Sequence, residues 1–212
     1  MSGLAVAELG VAPTFITLGP KGTDHERATN LYIDFQGLGE VAKLDLINDF
    51  MEGVERVRAE PNSFLVQCSA HPKVHSVTER YPQEVVVVDD FIQATRDLSL
   101  LVRKDVAEPK SLGLVPATQG YPDLTQWKTI IDVQSKPVVS DRLLAGEFDA
   151  GLTFTELATD HPDLLRVAKN YGKVVTTWIV YGHKRHGRYA GKLIGEKIPW
   201  LFTGQPEPPT ED

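Results

Sequence analysis

Residues 15–26, FITLGPKGTDHE, constrain the fold more than any other stretch of the chain. The apolar residues 15–18 predict a short buried strand, and a Gly-Pro-Lys-Gly turn follows them. Thr23 and Glu26 have the spacing of a capping box, in which the Thr23 hydroxyl accepts from the Glu26 N–H and the Glu26 carboxylate accepts from the Thr23 N–H. The chain is therefore predicted to pass from a strand through a glycine turn into a helix.

The predicted start of this helix is a candidate anion site. A helix N-terminus presents free N–H groups and a partial positive charge, which suit a carboxylate or a phosphate. Glycine-rich turns between a strand and a helix are also common where nothing binds. The spacing alone leaves both interpretations open.

Composition and charge indicate a globular protein that does not bind nucleic acid. The 212 residues are 42% hydrophobic and 24% charged, which suits one large domain or two smaller lobes. Acidic residues (29) outnumber lysine and arginine (22), for a net charge of -7, whereas nucleic-acid-binding proteins are typically basic.

The sequence also favours a cytoplasmic protein without membrane contact. Cys68 is the one cysteine, which excludes an intramolecular disulfide and a CxxC metal motif and fits a reducing compartment. No apolar run approaches the ~20 residues of a membrane span. Residues 1–12 lack the basic region of a signal peptide and are interpreted as a short tail.

Strand and helix patterns alternate along the chain, which predicts an α/β fold. One series precedes about residue 95 and a second follows it, so we expect two lobes with a cleft between them. The four valines within residues 84–90 are typical of a buried strand in a parallel sheet. Strands are predicted at residues 15–18, 41–46, 63–67, 84–90, 98–103, 111–115, 129–133, 149–153 and 174–181, and helices at residues 23–36, 49–60 and 140–146, near residue 127 and from residue 156.

Three loops are candidates for the wall of one site. Residues 19–23, 68–75 and 118–120 each follow a predicted strand. Ligands of open α/β sheets bind beyond the carboxyl ends of the strands. We therefore expect these loops to face the cleft.

The order of the motifs resembles the catalytic domain of prephenate dehydratase. The segment TLGPKGT at residues 17–23 resembles the opening of that domain, and residues 63–67, 91–102 and 149–156 resemble later segments of it. The resemblance covers residues 14–182. It implies a two-lobed α/β fold of the type II periplasmic-binding-protein kind, with the active site in the cleft. The implied catalytic domain is residues 13–182, with lobe 1 at 13–94 and 175–190 and lobe 2 at 95–174, followed by a partly disordered tail at 191–212.

Two departures from the dehydratase pattern indicate altered chemistry. The Thr-Arg-Phe signature is replaced by Thr176, Thr177 and Trp178, since the Thr95–Arg96 pair lies in the crossing between the lobes. The family's asparagine–serine loop is replaced by CSAH at residues 68–71. These features are similar to the non-aromatising prephenate decarboxylases of bacilysin-type natural-product pathways, which form a branch of this superfamily.

That resemblance implies a lyase of secondary metabolism, such as antibiotic biosynthesis, that acts on prephenate. It would break a carbon–carbon bond without cofactor or metal and yield a dihydro-4-hydroxyphenylpyruvate. The implied partner is the dianionic substrate, with no nucleic acid or membrane, and a homodimer is the family expectation. Two alternatives stay open: a dehydratase, a carbon–oxygen lyase that forms phenylpyruvate, and a non-catalytic binding protein for a ring acid.

The candidate site residues come from the three loops and from the strand at residues 174–181. His71 is the predicted proton donor, because the ordinary pKa of histidine is near 6.5, and Thr176 is predicted to orient the ketone. Trp178 would supply an apolar wall, although a tryptophan in a central strand is often only packed. The predicted substrate-binding residues are Gly19, Lys21, Gly22, Thr23, Ser69, Thr118, Gln119, Gly120, Thr177 and Trp178.

Overall fold

The structure is a computed structural model that describes residues 12–187 and residue 195. The predicted N-terminal tail, except for its last residue, lies outside the described residues. So do residues 188–190 of the predicted lobe 1 and, apart from Gly195, the predicted C-terminal tail.

Strands and helices alternate in both halves of the chain. In the first half they are β1 (Thr14–Leu18), α1 (Asp24–Phe35), β2 (Lys43–Ile47), α2 (Phe50–Ala59), β3 (Ser63–Cys68), α3 (Val74–Arg80) and β4 (Val85–Ala94). In the second half they are β5 (Leu98–Arg103), β6 (Ser111–Leu114), β7 (Thr129–Asp132), α4 (Lys136–Leu144), β8 (Ala150–Phe154), α5 (Glu156–Asp160), β9 (Leu165–Gly172) and β10 (Val175–His183). Short 3-10 turns at residues 116–118, 124–126 and 184–186 complete the described elements.

The strands form two sheets of the same design. The sheet of lobe 1 has the order β2-β1-β3-β10-β4, and the sheet of lobe 2 has the order β7-β6-β8-β5-β9. In each sheet the first three strands are parallel, and an antiparallel strand, β10 or β5, follows them. The predicted α/β architecture with two lobes is confirmed.

Helices cover both faces of the lobe 1 sheet. Side chains alternate between the faces of a strand, so Phe15 packs on the side of α1 and Ile16 on the side of α2. Phe50, Val54 and Val57 of α2 are fully buried, as their helical spacing predicts. The burial of apolar residues on both faces anchors the helices whose first turns border the cleft.

Four elements differ from the sequence prediction. Strand β4 is an edge strand antiparallel to β10, because four valines suit any buried strand and do not encode pairing direction. Helix α3 replaces part of the predicted polar loop, and Val77 is its buried residue, so it carries no apolar stripe. Strand β9 was not predicted, since only Leu165 among its first six residues is buried. Helix α4 starts at Lys136 rather than near residue 140, because Pro137 fits a first helical turn.

The two lobes are joined by two crossings that are bonded to each other. The Thr95 N–H donates to the Val174 carbonyl at 2.9 Å, and the Val174 N–H donates to the Thr95 hydroxyl at 3.1 Å. The crossings form one narrow bridge at the back of the cleft. No helix among the described residues is long and apolar enough to span a membrane.

Candidate functional site in the cleft

A cavity of about 200 Å³ lies between the two lobes. It opens at the carboxyl ends of β1, β3 and β6, where sheets of this kind bind ligands. Much of its wall is aliphatic or aromatic, and lobe 2 supplies half of that wall. The apolar lining includes Leu18, Leu98, Val115, Phe154, Val174 and Trp178.

The glycine turn after β1 is held by its own side chains. The Glu26 N–H donates to the Thr23 hydroxyl at 3.2 Å, as the capping-box spacing predicts, and this hydroxyl donates to the Leu18 carbonyl at 3.1 Å. The Glu26 carboxylate accepts from the Gly22 N–H rather than from the Thr23 N–H, and Gly22 adopts a φ of 83°, a conformation that glycine tolerates. The start of α1 is therefore bonded to a carboxylate of the same chain.

A second carboxylate, Asp24, lies at the same helix start and binds cations from outside lobe 1. Its oxygens accept from the Lys136 ammonium at 2.6 Å and from the Arg96 backbone N–H at 3.0 Å. Burial alone would raise the pKa of Asp24, but the charge and hydrogen bond of Lys136, with Arg96 adding to them, hold it below its usual value. Asp24 is thus ionised at neutral pH and links the lobes across the cleft.

Arg96, in the first crossing, joins the glycine turn to lobe 2. Its guanidinium donates to the Gly22 carbonyl and, at 2.9 Å, to Glu156. It also lies 3.4 Å above the centre of the Phe154 ring, a cation–π contact. The arginine is used to hold the lobes together and is not among the side chains that line the cavity.

His25 lies in the cleft wall and is neutral. Its ring meets those of Trp178 at 5.2 Å and Phe50 at 5.5 Å, and its Nε2 accepts from the Cys68 N–H at 3.4 Å. Burial, with a smaller contribution from the charge of His71, lowers the pKa of His25 to about 3. Since Nε2 accepts a hydrogen bond, the proton of the neutral ring is on Nδ1.

His71 lies in the loop after β3 and lines the same cavity. Its ring packs edge-on against Phe50 at 4.9 Å, and its Nδ1 accepts from the Lys73 N–H at 3.2 Å. Burial, with a smaller contribution from the charge of Lys73, lowers the pKa of His71 from its ordinary value. The neutral ring therefore carries its proton on Nε2, where it remains a hydrogen-bond donor.

Strand β10 contributes Thr176 and Trp178 to the cleft. The Thr176 hydroxyl lies 3.3 Å from the Ser69 hydroxyl, and the Trp178 indole N–H donates to the Gln93 carbonyl at 3.1 Å. Thr177, between them, does not line the cavity, because side chains alternate along a strand.

The cavity brings together half of the predicted site residues. Gly19, Thr23, His71, Thr118, Thr176 and Trp178 line it. Lys21 and Gly120 are exposed, Gln119 bonds Asp132 at 3.2 Å, and Ser69 contacts the cavity only through Thr176. Gly22 and Thr177 are also outside the lining.

Among the lining residues that the sequence did not predict, four carry the polar chemistry discussed below: Asp24, His25, Ser135 and Lys136. For Asp24 and His25 a signal existed, since they directly follow the Gly19–Thr23 turn in the first turn of a predicted helix. Ser135 and Lys136 were missed because the start of α4 was placed four residues too late. Within residues 12–187 and 195, no three His, Cys, Asp or Glu side chains converge as a metal site requires.

Comparison with known proteins places the fold. No protein-family model and no curated protein matches the sequence. A solved prephenate dehydratase from Staphylococcus aureus subsp. aureus Mu50 is similar in structure, at 15% identity over 82% of this chain and 67% of that chain, with a TM-score of 0.54. A periplasmic transporter structure is similar at 12% identity over 85% of this chain and 79% of that chain, with a TM-score of 0.58.

The chain therefore has the two-lobed α/β fold of type II periplasmic-binding-protein-like domains, which includes the prephenate dehydratase catalytic domain. The fold is shared by an enzyme, the prephenate dehydratase, and by a periplasmic transporter. The activity must consequently be argued from the cleft itself.

The neutral state of His25 predicts a pH-dependent stability. Unfolded histidine takes up a proton below about pH 6.5, whereas His25 in the folded protein does so only near pH 3. Between these values the unfolded chain binds more protons, so the free energy of unfolding falls as the pH is lowered, by at most about 1.4 kcal/mol per unit. His25→Gln, which can still accept from the Cys68 N–H, is expected to flatten this slope in denaturant titrations at pH 7, 6, 5 and 4. His75→Gln, at an exposed histidine of α3, is the matched control, and an unchanged slope in His25→Gln would contradict the burial argument.

Proposed function

We propose that this chain decarboxylates prephenate without aromatising the ring, and that the reaction takes place in the cleft between the lobes. The proposal rests on the resemblance of residues 14–182 to prephenate dehydratase and its decarboxylase branch. The fold similarity to a prephenate dehydratase supports the coarser part of it. The finer part, the choice of reaction, rests on the protonation states of the cleft.

The reaction requires loss of one carboxylate and uptake of one proton. The bond between the quaternary ring carbon and the carboxylate breaks, and carbon dioxide leaves. The electron pair of that bond forms a double bond between the quaternary carbon and its ring neighbour. The π electrons of the neighbour's original double bond move to its far carbon, and that carbon takes up the proton. The 4-hydroxyl stays in place, so the product is a dihydro-4-hydroxyphenylpyruvate and no oxidant is needed.

The apolar wall of the cleft favours this step. A carboxylate that lies against Trp178 and Leu98 loses its hydration, whereas the neutral carbon dioxide that leaves does not need any. The other carboxylate of the substrate needs a cation, and Lys136 supplies one within the same lining. The cleft thus combines a cation with an apolar wall, as a dianion with two different fates requires.

The observation that carries the choice of decarboxylation over dehydration is that the histidines and Asp24 of the described lining do not favour their protonated forms, while the Lys136 ammonium is bonded to Asp24. A dehydratase must protonate the departing hydroxyl, but His25 is neutral, the pKa of His71 is lowered and the pKa of Asp24 is below its usual value. A ring carbanion is a far stronger base than an alcohol. The Nε2–H of a neutral His71 is therefore a sufficient donor for decarboxylation.

The test is to incubate the purified protein with prephenate and to identify the products by NMR while carbon dioxide release is followed. A dihydro product that keeps the hydroxyl is the expected result. Phenylpyruvate would instead identify a dehydratase, and thermal stabilisation by prephenate without turnover would identify a binding protein. His71→Gln is expected to lower kcat by about 100-fold with little change in KM, because general acid catalysis contributes ~100-fold or more.

A further inference from the structure

We propose that the start of α4, on lobe 2, is the site that binds the substrate's side-chain carboxylate. The identity of that substrate rests on the proposed function, whereas the class of ligand, a carboxylate, rests on the geometry described here. The site consists of Ser135, Lys136 and the first backbone amides of α4. It lies in the cleft wall across from the glycine turn of lobe 1.

The Ser135 hydroxyl is buried and has no partner among residues 12–187 and 195. Ser135 caps α4, since its backbone is extended and its carbonyl accepts from the Val139 N–H at 3.0 Å. A capping serine normally accepts with its side chain from an amide of the first turn, but the Ser135 hydroxyl makes no such bond. The residue is 7% exposed and lines the cavity, so a carboxylate bound at the helix start would give this buried hydroxyl the partner that it lacks.

The helix start carries a lysine, whose charge is paired with a carboxylate of the opposite lobe. Lys136 is the first residue of α4, and the first turn contains no acidic side chain. A cation is disfavoured at a helix N-terminus, because the helix dipole places partial positive charge there. The one carboxylate that contacts Lys136 among the described residues is Asp24, which belongs to the opposite lobe and also binds Arg96. Asp24 offsets this repulsion in the free protein, and a carboxylate ligand would share the Lys136 ammonium with it.

The start of α1 offers no comparable vacancy. Its Thr23 hydroxyl already has two partners, the Glu26 carboxylate bonds Gly22, and Asp24 adds a second negative charge. The feature that the sequence predicted at residues 19–23 is therefore filled by side chains of the same chain. The equivalent feature of α4 is not.

The start of α4 is also rigid enough to serve as an anchor. The Thr153 hydroxyl of β8 donates to the Lys136 carbonyl at 2.9 Å. The Ser140 hydroxyl lies 3.2 Å from the same carbonyl and donates to the Thr153 hydroxyl at 2.8 Å. A carboxylate held here would place the attached ring toward Trp178 and Thr176 in the remainder of the cavity.

The experiment measures binding of phenylpyruvate, which has the side-chain carboxylate and no ring carboxylate, by calorimetry and by thermal shift. Ser135→Ala is expected to raise Kd about 10-fold, and Lys136→Gln about 10- to 100-fold, since bonds to a carboxylate are charge-assisted. Lys136→Arg should stay within about 3-fold of the wild type, because it keeps the charge. Ser76→Ala and Lys128→Gln change residues outside the cavity and serve as matched controls.

The outcomes separate this site from the proposed reaction. Weakened binding of phenylpyruvate in Ser135→Ala and Lys136→Gln supports the site even if prephenate is not converted, a result that would overturn only the proposed function. The opposite result is also possible to recognise. If wild type and Ser135→Ala convert prephenate with the same KM and bind phenylpyruvate with the same Kd, the site is overturned and the function is left intact. Failure of the wild type to bind phenylpyruvate at millimolar concentration would also overturn the site.

Discussion

Trp178→Ala is expected to lower the free energy of unfolding by about 3–5 kcal/mol, the range for removing a large aromatic side chain from a core. The indole is 1% exposed and lies parallel to the Phe91 ring at 6.3 Å. It also packs edge-on against His25 and donates a hydrogen bond to the Gln93 carbonyl. Urea titration monitored by circular dichroism gives the value.

Two further variants test whether the loss of stability is specific to the buried indole of Trp178. Trp178→Phe should cost less, about 1–2 kcal/mol, because it keeps a ring in the site and loses mainly the indole N–H bond. Trp127→Ala, at a partly buried tryptophan of lobe 2, is the matched control and should cost about 1 kcal/mol. An effect of Trp178→Ala no larger than that of Trp127→Ala would show that Trp178 is not part of the lobe 1 core.

Asp24→Ala is expected to cost about 3 kcal/mol, because it leaves Lys136 and the Arg96 amide without their shared partner between the lobes. The same loss should occur in wild type at low pH. Since the pKa of Asp24 is lowered in the folded protein, its contribution is complete above the ordinary aspartate value near 4 and is lost as the pH falls through the folded value. The free energies of unfolding that denaturant titrations give at pH 7 and at pH 3 should therefore differ less in Asp24→Ala than in wild type.

A double variant and a surface pair provide the controls. Asp24→Ala combined with Lys136→Met should recover part of the loss, because no lone charge then remains at this position. Asp105→Ala, which breaks the exposed pair with Arg103, should cost less than about 1 kcal/mol. Strictly additive effects of the two single changes at Asp24 and Lys136 would contradict the coupling between them.

The sequence predicts local structure well where a residue acts on its own neighbours. Thr23 identifies the start of α1, and the spacing of Phe50, Val54 and Val57 identifies the buried face of α2. Both signals arise within one or two helical turns. The alternation of strands and helices was sufficient to predict two lobes, and the order of the motifs predicted where the cleft lies.

The sequence does not predict which residues of the two lobes bond to each other across the cleft. Asp24 and Lys136 are 112 positions apart, and nothing local to either indicates that they meet at 2.6 Å. Likewise, the protonation of His25 depends on Phe50 and Trp178, which come from two different elements. The direction of β4 was also missed, since a run of valines is equally suited to either pairing.

The position of β10 has a consequence for how the chain acquires its structure during synthesis. This last strand lies between β3 and β4, and its neighbour Val174 bonds Thr95 from 79 positions away. Lobe 2 is continuous in sequence and can assemble as soon as it has left the ribosome. Strand β4 has no partner strand in its sheet among the described residues until β10 arrives, so lobe 1 is completed after lobe 2.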